Sequence, residues 1–107
     1  MVAAAARPRI ANPLGSIAGY DVVLLASPIW NLRTPLIMTT FTEALDFTGV
    51  AVHPVSTHAM SGLGNAPDDY AATCRGATIG DGLAVQGEEV REAGGEVGAW
   101  LRRVGLL

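Results

Sequence analysis

Apolar residues along this chain fall into short blocks of two kinds. Val22-Val23-Leu24-Leu25-Ala26 is a continuous apolar run, β-branched at its start and closed by Ser27-Pro28. That pattern predicts a strand buried on both faces. Ile37, Phe41, Ala44 and Leu45 then recur at helical spacing, which predicts a helix over residues 36–47, ended by Gly49. The unit repeats. Residues 50–56 form a second β-rich run, in which Pro54 cannot donate to a ladder and so predicts a bulge or the strand's end. Asn65 is placed to cap a second helix running to about Cys74, with Pro67 in its first turn and Asp68 and Asp69 complementing its dipole. A short third strand follows over residues 77–79, then a loop with Asp81 and Gly82. The last helix is expected over residues 88–104, where Val90, Ala93, Val97, Leu101 and Val104 share a face. Gly94 and Gly95 in its middle cost about 1 kcal/mol each against Ala and predict a soft or kinked point.

Strands alternating with helices imply an α/β fold with a parallel sheet, right-handed crossovers and helices on both faces. Three strands are fewer than the five or six of a typical sheet, roughly, so one sheet edge should want a partner. Residues 1–19 carry Pro8, Pro13, Gly15 and Gly19 with no sustained period. They read as an extended arm before a domain over residues 20–107.

Composition narrows the function classes. With 107 residues there is one domain. At 50% hydrophobic and 16% charged, the chain is too apolar to be disordered. Its net charge of −3 gives no basic footprint for nucleic acid or an anionic membrane surface. No apolar run is long enough for a membrane span. All basic residues are Arg, which removes every lysine-based mechanism. Cys74 is a lone thiol, unable to form an internal disulfide or to hold zinc, and a reducing cytoplasm is the default compartment.

Ligands of open parallel sheets bind beyond the strand carboxyl ends. Three loops meet that description: residues 27–35, 57–65 and 80–87. Trp30 directly follows a strand end and offers a flat ring for stacking, or simply caps the core. In the second loop, Gly62 and Gly64 would let backbone N–H groups approach a ligand, with hydroxyls from Thr57 and Ser61. His58 could touch the ligand or belong to an ordinary turn. His53, inside a strand, reads as structural, and the two histidines have no standard metal spacing. Asp68, Asp69, Glu88 and Glu89 read as solvated helix starts, Trp100 as packing, and Cys74 as a small hydrophobe.

At these loops the chain resembles the carboxyl-terminal part of the flavodoxin-like family. Residues 20–30, YDVVLLASPIW, are similar to that family's third strand and the aromatic loop after it. Residues 41–49, FTEALDFTG, resemble its next helix and turn, and residues 57–64, THAMSGLG, its second flavin loop. Residues 77–85 and the final helix with Trp100-Leu101 complete the match in order over residues 20–105. The resemblance implies a three-layer α/β/α parallel sheet of order 2-1-3-4-5 that binds FMN at the strand ends. Here the first strand, its phosphate loop and the second strand have no counterpart, so the sequence looks amino-terminally truncated. Carried over by position, Trp30 would face the isoalloxazine ring, and Pro28, Ile29, Asn31 and Leu32 would shape its loop. Thr57, His58, Ser61, Gly62 and Gly64 would supply polar and backbone contacts. Asn31 stands where many relatives have a second aromatic. The resemblance further implies electron transfer or flavin-dependent reduction with a redox partner protein. A homodimer would cover the surface exposed by truncation. The alternative is a flavodoxin scaffold that has lost its cofactor and serves as an interaction or oligomerisation module.

Overall fold

The computed structural model describes residues 8–11, 14–29 and 32–106. The elements run β1 (Val22–Pro28), α1 (Leu36–Glu43), β2 (Ala51–His58), α2 (Ala66–Thr73), β3 (Thr78–Ile79), β4 (Leu83–Gln86), a 3₁₀ turn (Gly87–Glu92) and α3 (Gly94–Arg103). Every strand pairing is parallel, and β2 lies centrally, with β1 on one side and β3 then β4 on the other. The sheet is thus three strands wide, as the alternation of runs predicts.

β3 and β4 are one edge strand broken by a bulge. Val52 of β2 faces Ile79, and Val55 faces Leu83, so the edge strand holds one residue more than β2 over this interval. In a regular strand, residues four apart share a face. Here Ile79 packs with the cluster on the α1/α2 side, whereas Leu83 packs with the α3 cluster. The extra residue makes that switch. Pro54 sits in the middle of β2, buried, directly across from the bulge. Val50 and Val52 accept ladder bonds from Thr78 and Gly80, so the even positions of β2 face the edge strand. The N–H that Pro54 lacks therefore falls where the ladder is already interrupted.

The two faces have separate cores. Val23 and Leu25 of β1, Val52, Phe47 and Ile79 pack with Tyr70 and Cys74 under α1 and α2. Val55, Leu83 and Val85 pack with Ala93, Val97, Trp100 and Leu101 of the last helical segment. The bulge ties α3 down: the Asp81 carbonyl accepts bonds from His53 Nδ1 (2.8 Å) and Trp100 Nε1 (3.2 Å). Because a carbonyl only accepts, His53 carries its proton on Nδ1. His53 and Trp100 also meet edge to face at 6.2 Å. His53 is thus a structural residue, as its strand position suggests.

Three expectations need correction. α1 stops at Glu43, short of residue 47, because Asp46 Oδ1 accepts from the Thr48 N–H (2.9 Å) and hydroxyl (2.6 Å), closing a turn incompatible with helix. Its buried face runs through Met38, Phe41 and Thr42, leaving Ile37 and Ala44 exposed. The buried Thr42 hydroxyl is satisfied by Met38 O (2.9 Å) and Thr73 Oγ1 (2.7 Å). Asn65 precedes α2 but makes no side-chain cap. The last helix breaks at Ala93, beside the Gly94-Gly95 pair where a kinked point is expected, but its first part is a 3₁₀ turn rather than α-helix and Val90 there is exposed rather than part of the apolar stripe. Residues 14–20 hold no helix or strand, and Ile17 enters the α1/α2 core. Among the described residues no helix is long and apolar enough to cross a membrane.

Candidate functional site

The carboxyl ends of β1, β2 and β4 converge on an open groove of about 370 Å3, lined by Pro28, Ile29, Thr57, His58, Ala59, Gly87 and Glu88. Pro28 and Thr57 are register partners at the end of the β1–β2 ladder, which sets the two loops side by side. The Ile29 N–H donates to Thr57 O (3.2 Å). Residues 80–87, expected as a loop, contain β4, and Gln86 Nε2 at its end donates to Ala59 O (3.0 Å), drawing β4 against the loop after β2. A larger hollow of about 530 Å3 lies at the opposite, amino-terminal end of the sheet, between residues 15–21 and 44–50. Topology favours the smaller groove as the ligand site, since open parallel sheets place ligands beyond the strand carboxyl ends.

Four of the residues singled out from the sequence come together in this groove: Pro28, Ile29, Thr57 and His58. Trp30 and Asn31 lie outside the described residues. Ser61 is exposed beyond the groove lining. Gly62, with φ +63°, accepts the buried Ser56 hydroxyl on its carbonyl (2.9 Å). Gly64 and Leu32 meet each other instead of lining the groove. The Asn65 N–H donates to Leu32 O (2.6 Å), and a Cβ on Gly64 would stand 2.6 Å from that oxygen and 3.0 Å from Ile29 Cγ2. Ala59, Gly87 and Glu88 line the groove without having been singled out. Gly87 ends the candidate loop 80–87, whereas Glu88 reads in the sequence as a helix start, and the 3₁₀ turn is what holds it at the strand end.

The arrangement offers an apolar wall, Pro28 and Ile29, facing a polar one built from the Thr57–Ala59 backbone and His58. His58 Nδ1 is a buried side-chain atom without a hydrogen-bond partner, and no other such side-chain N or O atom occurs among the described residues. A buried ring nitrogen left unpaired costs free energy that a bound polar ligand would recover. Glu88 adds negative charge at the rim, which disfavours an anionic group there.

A family model described as flavodoxin matches residues 1–104. The chain belongs to the flavodoxin family. Two solved structures agree. A candidate flavoprotein from Bacteroides uniformis is 34% identical with a TM-score of 0.70, over 82% of this chain and 58% of that one. A second, from Bacteroides eggerthii, is 28% identical with a TM-score of 0.72, over 95% of this chain and 62% of that one. This flavodoxin chain therefore spans less than two thirds of the length of either. A search of curated proteins returns no match. The parallel α/β fold is that of the family, and membership suggests flavin binding. The groove residues fit a flavin ring: an apolar wall of Pro28 and Ile29, and a ring nitrogen of His58 without a hydrogen-bond partner.

Proposed function

We propose that the groove at the strand carboxyl ends holds the isoalloxazine ring of FMN, and that the protein is an electron carrier or flavin-dependent reductase. The observation that carries this reading is the unpartnered His58 Nδ1 in a residue lining that groove. When bound, FMN would supply the redox chemistry, which is the cofactor's own. Pro28 and Ile29 would exclude water from one ring face, and Trp30 would be the aromatic partner. Thr57 would offer its hydroxyl to the ring's polar edge. His58 would find its missing hydrogen-bond partner there. Ser61, Gly62, Gly64, Asn31 and Leu32 would shape the loops behind these contacts. The net charge of −3 favours a basic redox partner protein.

FMN titration of the purified protein tests this reading. Saturable quenching of flavin emission is expected, weakened about tenfold in His58→Ala, equivalent to one lost hydrogen bond, ~1.4 kcal/mol. Absence of quenching up to high micromolar FMN overturns it and leaves the scaffold without cofactor.

A homodimer belongs to the same proposal. Among the described residues β1 pairs only with β2. Asp21 O and the Ile29 N–H bond toward β2, so the backbone groups of Val22, Leu24 and Ala26 face outward. Leu24 is 42% exposed. Such an uncharged edge is a template for strand pairing. Light scattering should give the mass of two chains; a single-chain mass at micromolar concentration refutes it.

A further inference from the structure

We infer that Asp69 is a positioning residue for the flavin groove, acting through Arg33, Thr34 and Leu32; this rests on the flavin reading above. Asp69 lies in the first turn of α2, where an acidic residue ordinarily faces solvent and complements the helix dipole. Here its side chain is only 11% exposed and accepts four donors from the loop after β1. Arg33 grips it with both sides of the guanidinium fork, Nη2 to Oδ1 at 2.8 Å and Nε to Oδ2 at 3.1 Å. The Thr34 N–H and hydroxyl donate to the same Oδ2 at 3.1 and 3.2 Å. The hydrogen bond and charge of the Asp69 carboxylate raise the Arg33 pKa further above its already high ordinary value, so that partner stays charged at all working pH.

The clamp ends one residue from a strained position. Leu32 has φ +67°, in the left-handed region that a branched apolar residue seldom adopts. Such strain persists only where surrounding structure over-determines it, and it gathers at ligand clamps. Two contacts hold Leu32 there. Arg33 and Thr34 are anchored on Asp69, and Leu32 O is anchored on the Asn65 N–H. Gly64, pressed against Leu32 O, is also the close neighbour of Ile29 Cγ2. Ile29 is a groove wall. A continuous chain of contacts thus runs from the Asp69 carboxylate to the groove, and it joins the loops after β1 and β2 at a fixed separation. Releasing the carboxylate frees Leu32 to relax toward negative φ and loosens the packing against the Ile29 side chain that walls the groove, while the Ile29 N–H stays bonded to Thr57 O.

The test uses Asp69→Asn, which keeps the shape and removes the charge, beside Thr42→Val. Thr42 bonds Met38, Thr39 and Thr73, and reaches Asp69 only through Thr73 on that residue's backbone carbonyl, so it controls for loss of stability without touching the Asp69 carboxylate. Amide hydrogen exchange is measured without FMN, and FMN affinity separately. Asp69→Asn should speed exchange at Leu32, Arg33 and Thr34 at least tenfold and weaken FMN about tenfold, whereas Thr42→Val should do neither at matched Tm. If wild type binds FMN and Asp69→Asn binds equally well, the positioning role is wrong while the flavin reading stands. If wild type binds no FMN, the flavin reading falls and the positioning role falls with it, whatever the exchange result. Unchanged exchange at residues 32–34 also overturns the inference.

Discussion

Gly64→Ala probes the contact on which the site depends. Gly64 has φ +53°, where an L-residue costs about 1 kcal/mol or somewhat more. A Cβ there would also stand 2.6 Å from Leu32 O and 3.1 Å from Leu32 C, both backbone atoms with no rotamer to yield. Leu32 O must retreat by several tenths of an ångström. It would then lose much of its 2.6 Å bond from the Asn65 N–H, worth about 1 kcal/mol net. Overpacking adds about 1 kcal/mol more, for a total near 3 kcal/mol. Gly62→Ala is the internal control. Its φ is +63°, nearly the same, but nothing lies within 4 Å of the added Cβ. That variant should lose only about 1 kcal/mol, reduced further by the less flexible unfolded chain. Urea unfolding followed by tryptophan emission, with the m-value held common, measures both. A midpoint for Gly64→Ala equal to that of Gly62→Ala would refute the close approach of the two loops, and with it the path from Asp69 to Ile29.

Two other predictions address the opposite face and the acid limb of stability. Trp100→Phe loses the bond to Asp81 O and some buried volume, so it should cost about 2 kcal/mol in the same urea assay; an unchanged midpoint would show that the bulge does not anchor α3. The Thr48 hydroxyl, then the Thr48 N–H, hold the Asp46 carboxyl below its ordinary 3.8, with a smaller contribution from Arg75 against slight desolvation. The folded pKa is therefore lower than the unfolded one, so this stabilisation is present above the ordinary value and is lost as pH falls through the folded pKa. Asp46→Asn should flatten that part of the stability–pH curve below about pH 4, and an unaltered acid limb would count against the Asp46–Thr48 turn.

The fold was largely legible because its strands are short apolar runs that alternate with helices. Val22–Pro28 needs no tertiary information to be recognised as a strand, being five apolar residues closed by Ser27-Pro28, but the expected burial on both faces is not met: Leu25 is buried while Leu24 and Ala26 are exposed. Helix ends were harder, for a physical reason. The apolar residues Leu45 and Phe47 continue a helical-looking pattern past Glu43, and both are indeed buried. What ends the helix is a polar side chain bonding its own backbone two residues on, at Asp46–Thr48. Periodicity does not register such a local competitor. Pro54 was different: its chemistry announces an irregularity, and the irregularity lies across the ladder in the neighbouring strand.

The site divides along the same line. Residues at the ends of β1 and β2 are placed by strand register, and register follows from the apolar runs, so Pro28, Ile29, Thr57 and His58 could be grouped in advance. Glu88 and Asp69 could not, because both look like helix-start acids and their sequence contexts are alike. Only three-dimensional contact separates them. Glu88 is left at the groove rim by a 3₁₀ turn, whereas Asp69 is consumed by Arg33 and Thr34, thirty-six and thirty-five residues earlier in the chain. The distinction has a chemical consequence for the flavin reading. The charge at the rim remains free to act on whatever occupies the groove, while the charge of Asp69 is neutralised by Arg33 and can act on the groove only through the position of the loop it holds.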